Sequence, residues 1–99
     1  NKGIYLQTVS GADARAIYEG EVTWCAPMNG NYAVIVQHGN YRSVYSPLKK
    51  IYVKQGDKLT AKQAIGEIYT NTSEDNKTEL YFQIYKDRSI LNPGLWLAQ

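Results

Sequence analysis

Between Thr78 and Lys86 the chain alternates strictly. Leu80, Phe82 and Ile84 fall on one side of an extended backbone, and Glu79, Tyr81, Gln83 and Tyr85 fall on the other. The first set predicts a core face and the second a row of polar tips and rings facing solvent or a groove. Shorter alternations precede it: Val22, Trp24 and Ala26 share one parity, as do Tyr32, Val34, Val36 and His38, and then Val44 and Ser46 against Tyr41, Ser43 and Tyr45. Turn signals separate these runs, at Gly3, Gly11, Gly20, Asn29-Gly30-Asn31, Gly39-Asn40, Gly56-Asp57, Gly66 and a polar loop from Thr70 to Lys77. The segment from Tyr52 to Ile68 reads as strand, tight Gly-Asp turn, short exposed stretch and strand. At the C-terminus, Asn92-Pro93 predicts a tight turn, and Leu95, Trp96 and Leu97 a short apolar closure. No apolar stripe at helical spacing exceeds two turns, so the pattern predicts an all-β, compact antiparallel domain.

The chain has 99 residues, 43% of them apolar, which sets it at one domain, residues 1–99, with a modest core. Eleven Lys and Arg against nine Asp and Glu are scattered along it. No basic stripe tracks a phosphate backbone, so no nucleic acid partner is expected. Its apolar runs fall far short of the roughly 20 residues that span a bilayer, and no signal-peptide pattern opens the chain. It starts at Asn1 already within a pattern, so it is expected to be the C-terminal part of a longer protein. Cys25 has no cysteine partner in the chain, which leaves the redox compartment open. Nine Tyr beside a single Phe change the picture more. Tyrosine is both a strand former and a contact residue with an apolar body and a polar tip.

Candidate chemistry is sparse. A Ser–His–Asp or Cys–His site needs a histidine, and His38 is the one present; it ends a strand at a Gly-Asn turn, where a hydrogen-bonded structural role is expected. No HxH, HxxxH or HxxxD spacing offers zinc its ligands. The acidic neighbours Glu19 with Glu21 and Glu74 with Asp75 sit in turn or loop segments, where solvation accounts for them. The glycines are dispersed at turns and build no phosphate loop.

Several blocks nevertheless resemble those of a known family. Asn1-Lys-Gly-Ile-Tyr-Leu, the run from Ser10 to Val22, the run from Ala33 to Leu48, Val53-Lys-Gln-Gly-Asp-Lys-Leu with Gln63-Ala-Ile-Gly, Glu79-Leu-Tyr-Phe-Gln-Ile and Leu91-Asn-Pro-Gly-Leu-Trp-Leu resemble, in order, the blocks of the lysostaphin/LytM metallopeptidase domain. The resemblance implies a β-sandwich or half-barrel built on a duplicated hybrid motif. Active members of that family, by the same resemblance, cut peptidoglycan cross-bridges with a zinc held by the His and Asp of an HxxxD motif and the second His of an HxH motif. Here the HxxxD positions fall on Asn1 and Tyr5, the HxH positions on Glu79 and Tyr81, and a further family histidine on Pro47. His38 matches a His-Gly block that holds no metal in the family. An amide and two phenols do not replace two imidazoles and a carboxylate at zinc, so a degenerate domain with no cofactor and no hydrolase activity is expected.

Among degenerate domains of this kind the chain is similar to the EnvC-like murein hydrolase activators. That similarity implies a partner, a cell-wall N-acetylmuramoyl-L-alanine amidase whose autoinhibition is relieved, in the periplasm or cell envelope and coupled to cell division. The expected binding groove comprises Lys2, Tyr5, Tyr45, Glu79, Tyr81, Gln83 and Tyr85, receiving an amphipathic helix. A passive peptidoglycan-binding domain and a zinc endopeptidase with atypical ligands are the alternatives. The Val53–Leu59 block also resembles biotinyl and lipoyl carriers, but the stretch around Asn31 to Ile35 lacks the lysine such a carrier modifies.

Overall fold

The alternations resolve into ten strands, β1 (Ile4–Thr8), β2 (Asp13–Arg15), β3 (Gly20–Met28), β4 (Asn31–His38), β5 (Tyr41–Ile51), β6 (Lys58–Leu59), β7 (Ala64–Ile68), β8 (Thr70–Asn71), β9 (Lys77–Lys86) and β10 (Ser89–Leu91). The computed structural model describes residues 3–86 and 89–91. Asn1, Lys2 and the C-terminal closure at Leu95, Trp96 and Leu97 therefore lie outside the described residues. All pairings are antiparallel, in the order β1-β9-β5-β4-β3-β6, with β8 and β10 also on β9 and β2 reaching the sheet through β7. The loop between β8 and β9 holds a single 3-10 turn, Thr72–Glu74. Among the described residues no helix is long and apolar enough to cross a membrane.

β5 organises the molecule. Its first half, Tyr41–Ser46, pairs with β9, and Tyr41–Tyr45 with β4 as well; its second half, Leu48–Ile51, pairs with β7, with a register shift between Leu48 and Lys50. The β2–β7 leaf thereby covers the inner face of the main leaf. Ala14, Ile65 and Ile68 from the leaf join Val22, Val34, Val36, Tyr45, Leu48, Leu80, Phe82 and Ile84 in one apolar cluster. The expected core row of β9 is buried, and Phe82 packs on Tyr45 with ring centroids 5.3 Å apart. Asn29 and Gly30, both at positive φ (54° and 85°), join β3 and β4 by the two-residue turn that suits the twist of paired strands.

Two expectations, one from alternation and one from turn residues, fail locally. Val22 and Trp24 do not share a face: the register shifts between them, so Val22 is fully buried while Trp24 is 43% exposed. A bulge of this kind adds one residue and reverses the parity beyond it. The turn after Val53 is centred on Gln55-Gly56 rather than on Gly-Asp. Asp57 instead accepts hydrogen bonds from the Lys54 backbone N–H (2.9 Å) and Nζ (3.0 Å), which hold its carboxyl below the usual range.

Candidate functional site

Because Leu80, Phe82 and Ile84 point into the core, period two turns Glu79, Tyr81, Gln83 and Tyr85 to the outer face of β9, where each is half-buried. β1 and β5 flank this row. Tyr5 lies opposite Tyr81 and Gln7 opposite Glu79; on the other side Ser46 faces Tyr81, Val44 faces Gln83 and Arg42 faces Tyr85. The Tyr5 and Tyr81 rings stack, with centroids 4.6 Å apart and planes at 29°. Tyr5 stays 64% exposed, so the pair offers apolar ring area to solvent. Gly3 allows the approach: a Cβ there would lie 2.7 Å from Gln83 Cγ and 2.9 Å from Tyr81 Cε1. The outer row continues from Val44 to Ile35 on β4 and Trp24 on β3.

Beside the ring pair opens a cleft of about 230 Å³ lined by Tyr5, Pro47, Tyr69, Asn71, Lys77 and Glu79. Its far wall exists because the polar loop folds back on β9. Thr70 pairs with Thr78 and Asn71 with Lys77, the two threonine hydroxyls are 2.7 Å apart, and Asn71 Oδ1 accepts the Ser73 N–H at 3.0 Å. Glu79 is 3.9 Å from Lys77 Nζ. The structure thus brings Tyr5, Pro47, Glu79 and Tyr81 into one neighbourhood. Tyr69, Asn71 and Lys77 were missed in the sequence; the polar run after Tyr69 signals a loop but not its return onto β9.

Tyr45 requires a correction. Expected in the groove, it is 1% exposed and belongs to the core. Its hydroxyl is 2.8 Å from Ser43 Oγ and accepts the Ile17 N–H at 3.3 Å. Burial pushes its phenol above the usual range, with these hydrogen bonds opposing the rise. Ser43 Oγ is also 2.7 Å from His38 Nε2, and His38 Nδ1 donates to the Glu19 carbonyl at 2.9 Å, since a carbonyl can only accept. His38 therefore anchors a buried polar chain, the structural role expected of it. On the inner parity of β5 this chain answers the hydroxyls of Ser43 and Tyr45.

The donor chemistry at the positions where the resemblance places the zinc ligands does not fit zinc. Tyr5 and Tyr81 lie ring to ring; at the two further family histidine positions, which hold no zinc, Pro47 has no side-chain donor and Glu79 is a carboxylate already near a lysine. Among the described residues no three His, Cys, Asp or Glu side chains gather as a metal-ligating group.

Comparison with known proteins agrees with this architecture. The sequence profile of Peptidase family M23 matches residues 1–93. Stage II sporulation protein Q of Bacillus subtilis is 37% identical over 99 residues, covering 94% of this chain and 35% of its own length. A crystal structure of a SpoIIIAH and SpoIIQ complex superposes with TM-score 0.72 at 33% identity, over 85% of this chain and 61% of that one. Murein hydrolase activator EnvC of Escherichia coli is 27% identical, over 99% of this chain and 24% of its own length. The chain thus spans about a quarter to a third of these curated relatives. The catalytic domain of lysostaphin from Staphylococcus simulans shares the fold, with TM-score 0.85 at 23% identity over 100% of this chain and 80% of that one.

Proposed function

The chain belongs to peptidase family M23, and from that premise we propose that it is a non-catalytic member which binds a cell-wall N-acetylmuramoyl-L-alanine amidase and relieves its autoinhibition, in the periplasm or cell envelope of a bacterium and coupled to cell division. The observation that carries this reading is the stacked Tyr5–Tyr81 pair. Two solvent-facing rings occupy positions that the resemblance assigns to metal ligands, and Pro47 and Glu79 complete the neighbourhood without imidazole. Asn1 and Lys2 belong to the same reading by resemblance. Stacked rings supply contact area at little entropic cost, and buried tyrosines are typical anchors for a docked helix. The reading draws support from two relatives, one named a murein hydrolase activator and another crystallised in complex with a second protein.

In this reading Tyr5 and Tyr81 meet apolar positions of the amidase helix, Gln83 and Glu79 bond its polar edge, and Tyr85 extends the contact along β9. The test is direct: the domain is added to the autoinhibited amidase of the same cell, and release of labelled peptidoglycan and binding heat are measured. Activation that disappears with Tyr81→Ala is expected. Saturable muropeptide binding without an effect on the amidase would assign the domain to peptidoglycan instead, and stoichiometric zinc with cross-bridge cleavage by the domain alone would make it an endopeptidase.

A further inference from the structure

Among the described residues, two strands that pair on one side only flank the same opening. β1 pairs with β9, β2 pairs with β7, and a turn closed by the Ala12 N–H on the Val9 carbonyl (3.1 Å) joins them. Between them lies a cleft of about 360 Å³, with Leu6 and Thr8 of β1 on one side, Ala14 and Arg15 of β2 on the other, and Ile68 and Leu80 among the floor residues.

The β1 edge lacks the usual protections. Ile-Tyr-Leu-Gln-Thr carries no charge and no proline, and its register with β9 runs from Ile4 to Thr8 without a bulge. Every second residue of such a strand turns its N–H and C=O away from its partner. At the rim the charges differ in their engagement: Asp13 Oδ1 accepts the Tyr52 hydroxyl at 2.8 Å, whereas exposed Arg15 spends one donor on the Lys62 carbonyl at 3.0 Å and forms no ion pair among the described residues.

We infer that this cleft receives an extended segment of a partner protein, which pairs with the β1 edge, sends alternate apolar side chains into the cleft and sets an acidic side chain on Arg15. The main-chain edge selects an extended strand, since a helix has already satisfied its own backbone. The charge argues against a second copy pairing through the same edge, because Ile4–Thr8 offers Arg15 no carboxylate. This site uses the β1 main-chain edge and the inner cleft rather than the outer-face rings of Tyr5 and Tyr81, and it does not depend on the amidase reading.

A library of random nonapeptides displayed on phage, selected on the whole domain, tests it. Enriched peptides should alternate apolar residues and carry Asp or Glu. The synthesised winner should slow hydrogen exchange of the Ile4–Thr8 amides, lose about tenfold in affinity with Arg15→Glu and bind Tyr81→Ala as it binds the unaltered domain. Arg15→Ala, which keeps the fold and adds no charge, should weaken it less than Arg15→Glu. Failure to enrich, enrichment without alternation, protection elsewhere or indifference to Arg15→Glu would each overturn the inference. So would sedimentation showing a dimer that the peptide dissociates, which would give the edge to a second copy.

Discussion

Tyr45 and Tyr81 stand on neighbouring strands, one residue out of register with each other, and meet different surroundings. Tyr45 lies opposite Phe82 on the inner face, its ring in the core and its hydroxyl answered by Ser43 and Ile17. Tyr81 lies opposite Ser46 and Tyr5 on the outer face, its ring against another ring that is itself mostly in water. One residue type thus serves the core in one place and, in the proposed function, recognition in the other. What separates them is the direction of the Cα–Cβ bond on adjacent pleats, and what makes the inner choice affordable is a polar chain that ends at His38.

Substitutions on the two faces should therefore separate folding from binding. The largest effect is expected on the inner face, where Phe82→Ala removes a ring packed on Tyr45 and should lower stability by about 3–5 kcal/mol, read as a fall in the urea midpoint. Tyr81→Ala should leave that midpoint nearly unchanged yet weaken amidase binding by about 2 kcal/mol, roughly 30-fold by calorimetry. A large loss of stability in Tyr81→Ala would erase the contrast between the faces.

Tyr45→Phe sharpens the comparison, since it keeps the ring and deletes the hydroxyl that Ile17 and Ser43 meet. A loss of about 1–2 kcal/mol is expected, together with a change in alkaline behaviour. Because burial raises the Tyr45 phenol in the folded state, its stabilising contribution is complete below the unfolded value near 10 and falls away as pH rises from there through the folded value. The alkaline fall in the midpoint should be shallower in Tyr45→Phe. The smallest effect belongs to Asp57→Asn in the exposed turn. Hydrogen bonds from Lys54 lower the Asp57 carboxyl, so its contribution is present at neutral pH and lost as pH drops through the folded value; the variant should show a slightly flatter acid limb.

Much of the fold was legible before the structure, and unevenly. β9, read as Thr78–Lys86, was placed to within one residue of Lys77–Lys86 because its residues alternate without interruption. Trp24 was placed with Val22 because a bulge leaves no mark in the alternation itself. Tyr45 was placed in the groove because a phenol suits a solvated face and a hydrogen-bonded core equally, and the partner that tips the balance, Ser43 backed by His38, acts through a hairpin contact invisible to a parity count. Of the remaining groove residues, Tyr5, Glu79, Tyr81, Gln83 and Tyr85 share one face of the β1–β9 pair, and the wall made by Tyr69, Asn71 and Lys77 appeared only once the polar loop was seen to return.

By itself the amino-acid order determined the all-β class, the two faces of the long strand, and the residues Tyr5, Pro47, Glu79 and Tyr81 at positions where the resemblance leads one to expect ligand or catalytic groups. These are local properties, written in period two and in side-chain identity. Only tertiary structure decided that Tyr5 would stack on Tyr81, that Tyr45 would turn inward, and that the β1 and β2 edges would face a common cleft. Those outcomes depend on which distant strands pair and where bulges shift their register, and that is settled by packing across the whole sheet rather than within any one segment.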